Sequence, residues 1–307
     1  MKKNLFSAAL FLLSFLAPAA GQGNTAMPFV QTGRNPVSVS MAGAAGVLTG
    51  NPYASLENMA AAAFSPVSLA AGASYQIYSP SFQKSTSINA GALYRAMDNL
   101  VVSASFVSES GEPYDVFTIS GSKAGTFTPK EMIISGGAAY QVTENIAAGA
   151  AAHFVTQTLS EKVNLSAICL DAHVAYCAGD LLVSAGVSTI GGSVESQSGK
   201  KYSLPSAAVL SGTYHLGLGE SLGLDPYLKG EYFLTGGIGA SAGAQFSFKD
   251  MVFVRAGYHL GTDGAPVPSF AAAGLGFKFM GVGLDLAYIL ASETLSGSLL
   301  GGLTYAF

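Results

Sequence analysis

The 307-residue chain carries 14 Lys plus Arg against 18 Asp plus Glu, so 10% of its residues are charged while 50% are hydrophobic. Ordinary soluble domains carry about 25% charged residues, and this composition, with its 38 glycines, does not suit a surface facing water. Past residue 20 no apolar run approaches the ~20 residues of a spanning helix; that excludes a helical membrane protein and leaves hydrophobicity placed at every second residue, as in membrane β-barrels.

In chain order, residues 1–21 read as a secretory signal peptide: Lys2 and Lys3, an apolar stretch over 5–16, Pro18, then Ala19, Ala20 and Gly21. Cleavage is expected near Gln22, and no Cys follows to support a lipoprotein route. A secreted chain with barrel patterning is expected in the outer membrane of a Gram-negative bacterium, both termini periplasmic, with membrane lipid and the barrel-assembly machinery as partners. Loss of Lys2 and Lys3 takes the formal charge from −4 to −6, which argues against nucleic acid.

Residues 22–65 do not alternate and are apolar and Ala-rich. They are expected to fold into the barrel mouth or lumen as a plug or hatch, a flexible periplasmic tail being the alternative. A short helix is predicted over 55–63, with Asn51 or Ser55 near its start and Pro66 past its end.

From 66 to 307 the chain breaks into segments of alternating polarity, and the fold class is all-β: a transmembrane antiparallel barrel of about fourteen strands, with twelve or sixteen as alternatives. The strands are predicted at 67–79, 84–96, 99–109, 129–142, 145–159, 162–177, 180–190, 204–217, 224–236, 238–248, 251–260, 267–279, 281–291 and 295–307. An antiparallel sandwich would need polar solvent faces that these strands lack. Short links at 97–99, 143–144, 179–180 and 249–250 alternate with longer loops at 110–128, 191–203 and 261–266; the seven-residue link 217–223 is the exception. Tyr75, Tyr78, Tyr94, Tyr140, Tyr176, Tyr214 and Tyr305 are expected to form interfacial girdles, since the chain has no Trp.

A Lys or Arg facing lipid at mid-bilayer costs about 2–4 kcal/mol, so Arg95, Lys229, Glu231, Arg255, Lys278 and Asp285 are expected to face the lumen. They are either a network that holds the plug, the favoured reading, or a selectivity lining. Inward apolar residues such as Val209, Phe270 and Ile289 keep a path for greasy ligands open. The aromatic loop residues Tyr114, Phe117 and Phe127 offer anchors for a protein partner, or pack the loop on itself.

Catalytic chemistry is not indicated. If Cys169 and Cys177 share a strand, eight residues at ~3.3 Å place them about 26 Å apart, beyond the ~7 Å reach of a disulfide. Asp171 and His173 share a face but read as polar lining, and no Cys/His cluster has metal spacing. The 217–223 glycines lack a βαβ context, and Thr213 with His215 lacks a nucleophile elbow. No enzyme, cofactor or metal site is assigned.

Two resemblances complete the reading. Leu303, Tyr305 and the terminal Phe307 resemble the assembly signal of outer-membrane barrels. Pro28-Phe29, Gly33-Arg34, Met41-Ala42-Gly43-Ala44 and Asn58-Met59-Ala60-Ala61, ahead of fourteen strands, resemble the PorV/PorQ family, itself similar to FadL-type transporters. That family commonly reads Met-Gly-Gly-Ala and Asn-Pro-Ala here, so Met41, Gly43, Ala44, Asn58 and Ala60 match while Ala42 and Met59 depart. The resemblance implies a Bacteroidetes-type barrel that docks or shuttles secreted proteins in type IX secretion, with secretion components or cargo as partners. The FadL side implies instead a transporter of hydrophobic small molecules.

Overall fold

In the computed structural model, which describes residues 25–79, 84–118, 120–161, 163–195, 199–292 and 295–307, the strands form a closed 14-strand antiparallel barrel. The signal peptide assigned to 1–21 lies outside the described residues. The wall strands are β1 Leu69–Tyr78, β2 Ser85–Met97, β3 Leu100–Gly111, β4 Lys130–Gln141, β5 Ile146–Ser160, β6 Val163–Ala178 and β7 Leu181–Ile190. They continue as β8 Ala207–Tyr214, β9 Leu222–Phe233, β10 Ile238–Phe248, β11 Val252–Gly261, β12 Phe270–Phe279, β13 Val282–Ala291 and β14 Leu299–Ala306. Each pairs with its sequence neighbours, and β1 pairs with β14 from Ala70↔Ala306 to Ile77↔Leu299, so no strand edge is left open.

The period of two in the sequence becomes the two faces of the wall. On β11 Val252, Val254, Tyr258 and Leu260 are exposed outward while Arg255 and His259 are buried inside. On β13 Val282, Leu284, Leu286, Tyr288 and Leu290 face out and Asp285 is buried. The result is an apolar outer surface suited to hydrocarbon, with polar residues kept within. No helix among the described residues is long and apolar enough to cross a membrane.

One end carries tight links, such as 98–99, 179–180 and 280–281; the other carries the long ones. The link from β8 to β9 conforms after all: Leu216 and Gly217 pair with Leu224 and Gly223, which leaves only 218–221 as the turn. At the long-loop end the 112–129 connection folds as a hairpin, Tyr114–Phe117 against Lys123–Phe127, and the 191–206 connection as another, Ser193–Glu195 against Lys201–Ser203. Tyr78 departs from the girdle: it stands on the same face of β1 as buried Gln76 and lines the interior.

The chain before β1 threads the lumen from end to end. It begins at the long-loop end, where Thr25 bridges Ser203, and finishes at the short-turn end, where the Ser68 N–H donates to the Phe307 carbonyl. Thr25 and Phe307 therefore lie at opposite ends of the barrel. Between them run a 3-10 turn Pro28–Gln31 and three short helices, α1 Pro36–Ser40, α2 Ala54–Glu57 and α3 Met59–Ala62. The single helix predicted over 55–63 is broken because Asn58 takes an extended conformation and caps α3, its side chain accepting from the Ala61 N–H.

Candidate functional site: a plugged lumen and its cavity

The inner wall is cut to fit this segment. At Gly72 a Cβ would stand 2.9 Å from Pro52 Cγ, at Gly137 2.7 Å from Met59 Cγ, at Gly149 2.7 Å from the Met59 carbonyl carbon, and at Gly243 2.8 Å from Met41 Cβ. Gly91 meets the Pro52 backbone, Gly257 the Met41 backbone, Gly274 Ser40, and Gly302 Pro36. Gly72 pairs directly with Gly91, and Gly243 with Gly257, so missing side chains on adjacent strands form recesses in register. Glycine weakens a strand; here it lets the plug approach the wall at van der Waals distance.

Polar contacts lock the plug in place. Arg34 Nη1 donates to Glu109 Oε2 at 2.7 Å, with the two side chains 4% and 13% exposed, and Arg34 also donates to Ser87 Oγ and the Phe29 carbonyl. Ser85 Oγ donates to the other Glu109 oxygen. Within the plug, Asn35 caps α1, its Nδ2 donates to Asn51 Oδ1, and Asn51 Nδ2 donates to Glu57 Oε2 at 2.6 Å. Burial pushes the Glu57 carboxyl up to about 7, against the hydrogen bond from Asn51 and the charge of Lys229. Ser135 Oγ donates to the Ser55 carbonyl and Asn58 Nδ2 to the Gly46 carbonyl.

The motif residues all belong to this packing. Met41, Ala44 and Ala60 are buried together against Ala175, Leu182 and Tyr227. Gly43 is left-handed at φ +77, and Ala42, where the resembled family has Gly, is also left-handed at φ +53. Met59 fills the first helical position, one that suits Pro, and uses its side chain against Gly137 and Gly149.

Five of the six lumen charges fall into three roles. Arg255 donates to Asp285 Oδ1 at 2.6 Å and to Gln245 Oε1 at 2.7 Å, while Gln245 donates to Asp225, which also meets His215 at 2.6 Å. The Arg255–Asp285 bond passes over β12 where Gly276 leaves room: a Cβ there would stand 2.5 Å from Asp285 Oδ1. Lys229 pairs with Glu231 at 2.7 Å. Arg95 donates to the Ser65 and Ala63 carbonyls and to Asp98, tying the plug's exit to the short-turn end. Lys278 departs from the expected network: it is exposed near that end and makes no ion pair among the described residues.

Between the plug and the wall lies a cavity of about 330 Å³, which extends to the long-loop residues Pro266, Val267 and Leu295. Its apolar lining includes Phe29, Val39, Val209, Phe270, Ile289 and Leu295, so the three inward apolar residues singled out in the sequence meet in one place. Its polar lining includes Arg34, Gln76, His153, Asp171, Lys229, Glu231 and His259. At its side β7 is bulged: Leu170 pairs with Ile190 but Ala172 with Val187, Thr189 is left-handed at φ +57, and Asp171 accepts its N–H at 2.7 Å. Gln31 of the plug donates to Thr189 Oγ1 and the Pro205 carbonyl across that bulge.

Sequence reasoning left Glu109, Glu57 and Gln76 unassigned, took His153 and His259 only as polar barrel lining, and named Arg34 only as part of a motif. Asn35-Pro36, a cap followed by Pro at the first helical position, is the signal that would have located α1. Cys169 and Cys177 are free, as their separation on β6 requires. Of the aromatic loop residues, Tyr114 and Phe127 stack with ring centres 5.6 Å apart and the Tyr114 hydroxyl donates to the Leu159 carbonyl; Phe117, 61% exposed, alone projects freely. Among the described residues no group of three His, Cys, Asp or Glu is placed to hold a metal ion.

The site thus defines a class, the plugged fourteen-strand barrel with an amphipathic cavity beside the plug. No family model matches the chain, and no curated protein matches it. Solved structures do. The P. putida toluene transporter TodX aligns over 90% of this chain and 99% of its own, at 13% identity and a TM-score of 0.61. The Ralstonia pickettii toluene transporter TbuX aligns over 89% and 98%, at 13% identity and 0.57. A Pseudomonas aeruginosa FadL homologue aligns over 89% and 95%, at 12% identity and 0.56. At such identities the likeness is one of fold, and that fold is the FadL-type barrel. The secretion-specific half of the resemblance drawn from residues 27–65 gains no support from it.

Proposed function

We propose that this protein is an outer-membrane channel for hydrophobic small molecules, which enter the cavity from the long-loop side and leave when the plug yields. The observation that carries the reading is the 330 Å³ cavity, lined by apolar and polar residues of the wall and by plug residues between Pro28 and Asn58. Pockets of this size, about 300–1,000 Å³, enclose small organic ligands. The neighbours that share the fold are described as toluene or monoaromatic hydrocarbon channels, which favours the transport reading over docking. The long-loop end is then outermost, the short-turn end and Phe307 periplasmic, and Leu303, Tyr305 and Phe307 form the assembly signal. The barrel acts without catalysis: its work is to bind and to pass. The test is entry of a monoaromatic compound and of a sugar of similar size into vesicles carrying the reconstituted barrel; the aromatic alone should be accelerated, and equal acceleration of both would contradict the reading.

The second reading is docking of a secreted protein in type IX secretion, supported by the 27–65 motifs and by exposed Phe117 on the 114–127 hairpin. It is the weaker one, since Tyr114 and Phe127 are already engaged within the loop. Co-purification of secreted proteins with the barrel from native membranes would restore it.

A further inference from the structure

The plug is not held evenly around its circumference. Its helices pack on two arcs of the wall, α1 on β11–β14 and α2 and α3 on β3–β7, and the glycine recesses that seat it lie on those arcs or on β1, β2 and β10. Strands β8 and β9 offer the plug no such recess. There the fit is reversed and the plug is the slender side: a Cβ on Gly46 would stand 2.9 Å from Ser211 Cβ and 3.4 Å from Lys229 Cδ.

The plug is also thin at this point. Gly46 lines the cavity, whereas Thr49 is exposed and Gly50 sits against Ser65 and Val67, where the chain leaves at the short-turn end. Along the chain, Val47 and Leu48 alone stand between. Val47 is 1% exposed and shares an apolar cluster with Ala175, Leu182 and Tyr227, with Leu48 and Cys177 at the margin. The Gly46 carbonyl accepts from Asn58 Nδ2 at 2.9 Å and from Ser211 Oγ at 3.3 Å, but residues 47–50 make no hydrogen bond to another described residue. The flanking helices α1 and α3 are capped by Asn35 and Asn58, and α2 is bonded to the wall through Ser135. Left-handed glycines, Gly43 at φ +77 and Gly50 at φ +63, bracket the stretch, which makes it a strap between fixed ends.

From this we infer that cargo leaves the cavity between residues 46–49 of the plug and strands β7 to β9, and that Val47 decides its passage while the three helices stay seated. The inference rests on the channel reading above and specifies its exit. Parting the strap from the wall gives up apolar packing in the Leu182 and Tyr227 cluster. An apolar guest restores that packing as it passes, and a sugar does not.

The test is uptake of toluene by vesicles carrying the full-chain barrel, with empty vesicles as the blank. Val47→Ala removes two buried methyl groups from the closed strap and should speed uptake by about tenfold. Val101→Ala removes as much from the cluster that β3 forms with α2 and α3, and should leave uptake unchanged. A second variant alters only exposed surface at the exit: Thr49→Cys in a Cys177→Ser chain, capped with a bulky maleimide in micelles before reconstitution, should fall to the blank. The Cys177→Ser chain treated alike, its remaining Cys169 fully buried, should not. Equal uptake by the Val47→Ala and Val101→Ala barrels, or undiminished uptake by the capped barrel, overturns the inference and leaves the channel reading in place. Wild-type uptake no faster than the blank overturns both.

Discussion

Substitution of Gly257 by Ala puts the fit of plug to wall under direct test. A Cβ at 257 would stand 2.8 Å from Met41 Cα and closer still to the Met41 carbonyl, all of it backbone that cannot rotate away. Since carbon atoms rest at about 3.5–4.0 Å, the plug must recede or β11 must bow outward by roughly 1 Å. Overpacking of this kind costs about 1–3 kcal/mol. Gly91, on the other side of the barrel, meets the Pro52 backbone just as closely, and distant sites add, so the Gly91→Ala/Gly257→Ala pair should lose about 2–6 kcal/mol. Gly136 and Gly230 point away from the lumen with nothing within 4 Å of a built Cβ, and Ala there should be neutral or slightly stabilising because Gly weakens a strand. The assay is urea unfolding of the barrel in micelles, followed by the folded band on unheated gels, with single-channel conductance in a planar bilayer alongside. The inward variants should unfold at lower urea and open more often, and the outward ones should match wild type. Inward and outward variants of equal stability and conductance would refute the claim that glycine recesses seat the plug.

Arg34→Met leaves Glu109 buried without its cation, a change that costs about 3–5 kcal/mol; limited proteolysis should cut within 25–65 more readily, and a second change, Glu109→Gln, should restore part of the protection. Gly43→Ala isolates backbone strain, because the nearest atom to its Cβ is Ser241 Oγ at 3.9 Å while φ is +77: a loss of about 1–2 kcal/mol is expected from the left-handed conformation alone, and Gly43→Asn should lose less in the same urea titration. Glu57 gives a pH signature. Its carboxyl is raised to about 7 in the folded protein from an ordinary 4.5, so the folded state holds the proton more tightly; stability is full below about pH 4.5, falls as pH rises toward 7, and is level beyond, a loss of up to about 3 kcal/mol. Glu57→Gln should therefore match wild type at pH 4 and exceed it at pH 8.

The wall was legible because alternation is a one-dimensional signal: a residue's parity along β11 or β13 decides whether it meets lipid or lumen, and Arg255 and Asp285 announce the inner face by their charge. Tyr78 shows where that reasoning fails, since an aromatic at a strand end suits an interface by composition while its parity with Gln76 turns it inward. The plug was legible as a segment but not as a structure. Its helices are four or five residues long, too short for periodicity to register, and they are fixed by Asn caps and by contact with wall glycines far away in sequence. The Arg34–Glu109 clasp joins residues 75 apart, and Gln76, His153 and His259 come to line one cavity only once β1, β5 and β11 curve around the same space. Val209, Phe270 and Ile289 are the exception among cavity residues, because an apolar side chain on an otherwise polar face is visible from parity alone.

The central claim is that the cavity beside the plug receives small hydrophobic molecules and passes them inward. The most direct measurement is uptake of a volatile monoaromatic compound by vesicles carrying the full-chain barrel, compared with vesicles carrying the Gly91→Ala/Gly257→Ala pair and with empty vesicles, a sugar of similar size serving as tracer. Wild-type barrel should speed the aromatic but not the sugar, and the unseated plug should admit both. Aromatic uptake no faster than in empty vesicles, for either barrel, would contradict the account.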